Sequence, residues 1–263
     1  MSNINDLLKN TFSNVISDYE YARPKYPQEL FEKILDFSGI NEKSNILEVG
    51  AGTGQATDLF LDNGRFNIEL LEVSAEQTAF LRQKYNGIDN ISVIKDYFED
   101  YTTDKKYDLI YSATAFHWID SAVGYPKAYQ MLNKGGTMAV FWQMSSVTYY
   151  EHGIFNKLND IKKKYLPEES LGFDADEIIE VRNKRITQIQ SGGCFDIPQW
   201  FEYKWTDNYD ADRYAALINT YSSTQLLDES IRINYLDEIR ECICLNGGTV
   251  MMPQSVMLYL VKK

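Results

Sequence analysis

Cysteine is scarce in this 263-residue sequence, which contains only Cys194, Cys242 and Cys244. Three thiols cannot build a disulfide framework, and their spacing matches no Cys-x-x-Cys metal or redox pattern, so a reducing compartment is expected. Cys242 and Cys244 lie two apart in a helical stretch, where such positions point apart, and both are expected to pack in the core. Histidine is scarcer still. With only His117 and His152, a His-rich metal site has little to be built from, and no metal is expected. Basic residues are outnumbered, 26 Lys and Arg against 38 Asp and Glu, for a formal net charge of −12. Polyanion binding needs clustered cations to neutralise phosphates, and no such face stands out, so no nucleic acid is expected as a partner. Anionic membranes are disfavoured for the same reason. No apolar run approaches the roughly 18 residues of a membrane span. Met1 to Phe12 shows no basic region followed by an apolar stretch, which predicts a soluble, cytoplasmic protein. Repeats, low-complexity tracts and linkers are missing too, so one domain over residues 1–263 is expected.

What is present is an ordinary globular balance, 44% hydrophobic and 24% charged, with ample core for a chain this long. Ser44 to Val49 is a short apolar run that stops at glycines, and Gln55 to Asn63 then has helical spacing through Ala56, Leu59 and Phe60. Strand, glycine turn and helix follow one another, and the pattern recurs. Phe66 to Val73, Ile91 to Ile94 and Tyr107 to Tyr111 read as strands, as does Gly136 to Trp142 after a Lys134-Gly135-Gly136 turn. Ala75 to Tyr85 and Tyr125 to Leu132 read as helices. Alternation of this kind predicts a doubly wound α/β fold with a mostly parallel sheet.

From Val147 to Gly172 the strand spacing is lost and an insertion is expected. A helix over Ala175 to Gln190 then stops at Gly192-Gly193. Phe195 to Thr206 and Thr249 to Val261 read as strands, with helices over Ala211 to Thr220 and Ile231 to Cys244 between them. Those last two strands are expected to form an antiparallel edge.

The first strand runs into Glu48-Val49-Gly50-Ala51-Gly52-Thr53-Gly54, at the place where ligands sit in a doubly wound sheet. Glycines there allow a tight turn and a close approach of backbone to ligand. The dinucleotide fingerprint is not met, since Gln55 stands where a third glycine would fall, and no Gly-Lys-Ser/Thr of a phosphate loop follows. That weakens the reading as a nicotinamide oxidoreductase. An acid two residues before the first glycine suits a cationic ligand better than pyrophosphate. Glu72 ends the second strand, where an acid takes the ribose hydroxyls of a nucleoside. Two carboxylates, a nucleoside and no phosphate suggest S-adenosylmethionine.

This segment resembles motif I of class I S-adenosylmethionine-dependent methyltransferases. Tyr19 to Pro27 (YEYARPKYP) is similar to the Y-x-x-x-R-P-x-Y-P motif of a type 11-like subfamily that includes trans-aconitate methyltransferase-like proteins, and Ser112 to Trp118 (SATAFHW) to its S-x-x-A-F-H-W motif. The resemblance implies a seven-stranded Rossmann-like sheet with an antiparallel C-terminal edge strand. Along the chain, an N-terminal helical lid segment over 1–43, a cofactor-binding core over 44–142, a helical insertion or cap over 143–193 and a completing C-terminal part over 194–263 are expected. By resemblance Glu48, Gly50, Ala51, Gly52 and Gly54 line the methionine portion, and Glu72 with Val73 holds the ribose. Asp96, Tyr97 and Phe98 flank the adenine, Thr114 and Ala115 sit beside the sulfonium, and Tyr19 and Arg23 close over the amino-acid end. Tyr97 stands where the family usually has Asp, and Glu72 replaces the commoner Asp while keeping the carboxylate.

The expected activity is methyl transfer to a small-molecule acceptor, a carboxylate or a hydroxyl, with S-adenosylhomocysteine as product and a monomer or homodimer as the assembly. A catalytically silent cofactor-binding protein is the alternative. The absence of an Asp/Asn-Pro-Pro-Tyr/Phe tetrapeptide and of a Pro-Cys nucleophile argues against DNA methylation. If the acceptor carries a proton, His117 is the one placed base; packing against its aromatic neighbours is the other reading of that residue. Trp118, Trp142 and Tyr221 are candidates either for the walls of a substrate pocket or for the core.

Overall fold

The computed structural model describes residues 16–144, 153–169 and 174–263. Parts of the expected lid and insertion, and His152, lie outside the described residues. The chain divides into two compact units. A sheet unit comprises Lys25–Gln143, Glu180–Tyr203 and Val256–Lys263; a helical unit comprises Met1–Pro24, Met144–Ile179 and Lys204–Ser255.

The first half of the sheet follows the sequence pattern. β1 (Asn45–Val49), α3 (Gln55–Leu61), β2 (Asn67–Glu72), α4 (Ala75–Lys84) and β3 (Ile91–Lys95) succeed one another, preceded by α1 (Ile16–Ala22) and α2 (Gln28–Ser38). Helix α2 buries Leu30, Phe31 and Ile34 on one face and stops at Gly39, whose left-handed φ of 69° lets its N–H reach Leu35 O at 2.8 Å. Helix α4 starts at an N-cap, where Ser74 Oγ accepts from the Gln77 N–H at 3.2 Å. β4 (Tyr107–Ala113), α5 (Ser121–Met131) and β5 (Leu132–Met144) follow. β1 pairs in parallel with β2 and with β4, β2 with β3, and β4 with β5.

After α6 (Ile154–Tyr165) and α7 (Ala175–Ile189) come β6 (Gln199–Asp210), α8 (Ala211–Asn219), α9 (Ser222–Gln225), α10 (Glu229–Leu245) and β7 (Thr249–Lys262). The seven strands lie in the order β3-β2-β1-β4-β5-β7-β6, with antiparallel strands at the C-terminal edge. β7 runs against β5: Ser255 Oγ donates to Met144 O at 3.1 Å, while the Lys263 N–H donates to Gly136 O at 2.9 Å near the other end. No helix among the described residues is long and apolar enough to cross a membrane.

Two local expectations are corrected. Lys134-Gly135-Gly136 is not a turn ahead of β5 but an irregularity inside it: Tyr107 faces Leu132 and Leu109 already faces Thr137, so the extra residues bulge out of the ladder. Gly135, at φ 80°, supplies the backbone freedom this requires. Of the Cys242-Ile243-Cys244 run, only Ile243 is core; Cys242 is half-buried against it and Cys244 is exposed, as the turn of α10 carries them off the buried face.

The core of the sheet unit holds an aromatic group beneath the first strands. Phe60 stacks on Tyr111 at 4.4 Å and meets Phe31 edge-on at 5.0 Å. The helical unit has its own core, in which Leu158 of α6, Tyr214 and Leu217 of α8 and Leu236 and Ile239 of α10 are buried together.

Candidate functional site

Leaving β1, the chain builds β2 and β3 on one side and then returns to place β4 on the other. At such a switch point the carboxyl ends of the two central strands frame a crevice. Gly50 follows β1 at φ 73°, and a Cβ built on it would lie 2.5 Å from the Cβ of Ala115, just past β4. Gly54, the left-handed N-cap of α3, is equally constrained, since a Cβ there would come within 2.2 Å of the Tyr85 hydroxyl. Gly52 differs: at φ 59°, its Cβ position has nothing within 4 Å, so the middle of the loop is open. The loop is braced from α4, where Lys84 Nζ donates to Thr53 O at 2.9 Å and to Asp58 Oδ2 at 2.7 Å.

Glu72 closes the same loop from β2. The Gly52 N–H donates to its Oε2 at 2.9 Å and the Ser74 N–H to its Oε1 at 2.8 Å, while burial pushes the carboxyl pKa upward against those bonds and one from Val73. Glu48 is wholly buried one layer below. Thr57 Oγ1 and Tyr111 Oη both donate to its Oε2, and Oε1 has no partner among the described residues. Desolvation, reinforced by the charges of Asp58 and Glu72, pushes its pKa up to about 7. Asp96 lies beside the end of β2, its N–H donating to Glu72 O at 3.3 Å. Tyr97 is exposed, and Phe98 is buried against Phe116 at 5.7 Å.

Thr114 is the one non-glycine residue at positive φ, 53°, among the described residues. Its N–H donates to Phe141 O at 2.8 Å, and its hydroxyl lies 3.2 Å from that of Tyr26 and accepts from the Gln143 N–H at 3.4 Å. A β-branched residue in that region is strained, and surrounding bonds hold it there. Past it, a 3-10 turn (Phe116–Trp118) carries His117 outward. The Trp142 indole N–H donates to His117 Nδ1 at 3.0 Å, and Trp118 lies 4.7 Å from the His117 ring. The protein packed around the imidazole, together with Arg185, pushes its pKa down to about 4.

Of the expected site residues, the sheet unit thus brings together Glu48, Gly50, Ala51, Gly52, Gly54, Glu72, Val73, Asp96, Tyr97, Thr114 and Ala115 around the switch point, with Phe98 packed beneath and His117 and Trp118, just past β4, grouped with Trp142 of β5. Tyr19, Arg23 and Tyr221 belong to the helical unit. There the Arg23 guanidinium lies over the Tyr19 ring at 4.9 Å and the Tyr221 ring at 4.8 Å, and its Nε donates to Thr220 Oγ1 at 2.9 Å. Sequence reasoning missed Tyr111, Thr57 and Tyr26, which hold Glu48 and Thr114, and Arg185. Tyr111 carries a signal in the sequence, a phenol directly after the apolar Leu109 and Ile110 in the buried part of β4.

Residues 46–136 match a family model described as a methyltransferase domain. An uncharacterized methyltransferase of Schizosaccharomyces pombe is 29% identical over 147 residues, covering 55% of this chain and 58% of that one. Malonyl-acyl-carrier protein O-methyltransferase 1 of Ilyobacter polytropus is 33% identical over 166 residues, covering 62% and 60%. The chain therefore spans less than two thirds of the length of these relatives. Among solved structures, a candidate sarcosine dimethylglycine methyltransferase from Galdieria sulphuraria superposes with a TM-score of 0.53 at 18% identity, over 90% of this chain and 84% of that one. A candidate methyltransferase from Bacillus halodurans superposes with a TM-score of 0.51 at 13% identity, over 90% and 99%. Residues 46–136 are thus similar to a methyltransferase domain, and the chain has the Rossmann-like methyltransferase fold.

Proposed function

We propose that this protein transfers the methyl group of S-adenosylmethionine to a small-molecule acceptor. The observation that carries the reading is Glu72, a buried carboxylate fixed by two loop amides at the switch point, beside a glycine with open space above it. A carboxylate offers roughly four acceptor sites, so those bonds leave Glu72 able to take a ribose hydroxyl. The residues present therefore fit the cofactor. Gly50, Ala51, Gly52 and Gly54 would hold its methionine portion, Glu72 and Val73 the ribose, Asp96 and Tyr97 the adenine, and Thr114 and Ala115 the sulfonium side.

When bound, S-adenosylmethionine supplies a methyl group already activated on a sulfonium. The chain's own task is then to position the acceptor and exclude water, which is worth roughly 7 to 11 kcal/mol in well-oriented reactions. Thr114, held by Tyr26 and Gln143, fixes the backbone where β4 leads into the turn that presents His117. The finer resemblance, to trans-aconitate methyltransferase-like proteins, rests on the Tyr19 to Pro27 and Ser112 to Trp118 motifs. A silent cofactor-binding protein, the alternative, would bind the cofactor without transferring its methyl group.

Calorimetry with S-adenosylhomocysteine, then labelled S-adenosylmethionine offered with carboxylates, phenols and amines, tests the reading. Saturable binding and transfer to one class of acceptor are expected. No binding would sink the assignment, and binding without transfer to any acceptor would leave the silent alternative standing.

A further inference from the structure

Arg185, on α7, is a half-buried cation without an acid. Its guanidinium carbon lies 4.4 Å over the Trp142 ring centroid, and its charge acts on the buried phenols of Tyr125 and Tyr259. Nη1 donates to Gln188 Oε1 on the same helix at 2.9 Å. Its charge acts on Tyr125, Tyr259 and His117, and no carboxylate among the described residues pairs with it. Removing a guanidinium from water without a counter-ion is costly, and Arg remains charged under all ordinary conditions. Such a group calls for an anion from outside the chain.

The same indole determines what His117 offers. Trp142 Nε1 is a donor only, so His117 Nδ1 accepts and carries the lone pair, and the proton of the neutral ring sits on Nε2. His117 is exposed, and no described residue accepts a hydrogen bond from that N–H. With Nδ1 occupied and Nε2 protonated, the ring has no lone pair free to take an acceptor's proton. Trp142 therefore joins two donors, a guanidinium over its face and an imidazole N–H relayed from its edge.

We propose that Arg185 and the Nε2–H of His117 form a binding site for a carboxylate group of the methyl acceptor, with His117 acting as a hydrogen-bond donor and not as a base. The planar fork of Arg suits a carboxylate, and its stacking on an indole fixes its orientation. The proposal rests on the methyl-transfer reading for the identity of the ligand, but the site can be probed apart from it.

The experiment is a titration of the 15N-labelled full chain with sodium succinate, and with succinamide as the neutral control. The Trp142 indole and Arg185 Nε–H resonances should shift saturably with succinate and not with succinamide. Arg185→Gln should weaken succinate at least about tenfold, Arg185→Lys should restore part of the loss, and S-adenosylhomocysteine affinity should stay at the wild-type level in both. Long-range 15N spectra should show His117 with a bare Nδ1 and a protonated Nε2. Equal shifts with succinamide, no saturable shift with succinate, unchanged succinate affinity in Arg185→Gln, or a protonated Nδ1 would each overturn the proposal. If Arg185→Gln does not fold, His117→Phe, which has no donor, serves in its place, with weakened succinate binding expected and unchanged binding counting against. Failure of wild-type protein to bind S-adenosylhomocysteine would overturn the methyl-transfer reading alone.

Discussion

Gly50 and Ala115 meet so closely that a Cβ on Gly50 would stand 2.5 Å from the Cβ of Ala115. The turn after β1 and the turn after β4 therefore pack without a spare methyl group. Gly50→Ala should lose about 2 to 4 kcal/mol of unfolding free energy in urea, from left-handed strain plus overpacking. Gly52→Ala meets no neighbour and should lose only about 1 to 2 kcal/mol from strain. Its larger effect should be on cofactor affinity, because the new methyl occupies the open space over the loop. Equal stability losses in the two variants would contradict this distinction.

Glu72→Gln keeps the shape of the side chain but turns an amide N–H toward one of the two loop N–H groups that now donate to a carboxylate. S-adenosylhomocysteine binding should fall at least about a hundredfold by calorimetry, since one charge-assisted bond is lost and one buried donor is left unpaired. Wild-type affinity in this variant would refute the ribose assignment.

Glu48 ties the switch point to pH. Its carboxyl, near 4.5 when exposed to water, is pushed up to about 7 in the folded protein, which therefore binds the proton more tightly than the unfolded chain does. Its contribution to stability is present in full below pH 4.5 and is lost as the pH rises through 7, by about 3 kcal/mol. Glu48→Gln, which has no such titration, should be the more stable protein at pH 8, with the difference shrinking toward pH 5 in denaturant melts. A difference that stays flat across that range would show that Glu48 does not titrate there.

His117 carries the opposite sign. Its pKa is pushed down to about 4, so the neutral ring favours the folded state above the usual value of 6.5, and that preference fades as the pH falls toward 4. Trp142→Phe removes the indole N–H from Nδ1 and should raise the pKa of His117 in an NMR titration. An unchanged titration curve would mean that the indole bond does not govern the ring.

Thr114 is strained at φ 53° but satisfied by Tyr26 and Gln143. Asn tolerates that backbone region and keeps a polar side chain, whereas Val keeps the strain and loses the hydroxyl. Thr114→Asn should unfold at a denaturant midpoint at or above wild type, and Thr114→Val about 1 to 2 kcal/mol below it. Lower methyl transfer in Thr114→Asn despite equal stability would tie the strained backbone to the activity.

The strands and helices from β1 to β4 were legible because each is a local pattern: apolar runs of strand length with helical spacing between them, and glycines at the end of β1. The loop from Glu48 to Gly54 was legible for the same reason, its glycines and the acid before them being close in sequence. Helices α2 and α6 lie inside the segments expected to be helical, 1–43 and 143–193, but without bounds of their own. The bulge at Gly135 reads as a turn in the sequence, because a glycine pair signals positive φ without saying whether the chain reverses.

Sequence by itself determined the order of elements, the glycine loop and the two acids beside it, since all of these depend on backbone preferences a few residues long. Only the tertiary structure decided that Glu48 is buried between Thr57 and Tyr111, that Trp142 sets the tautomer of His117, and that Arg185, far along the chain, lies on the face of the same indole without a counter-ion. The physical reason is that desolvation and hydrogen-bond direction depend on what surrounds a side chain in space, which neither residue type nor spacing encodes.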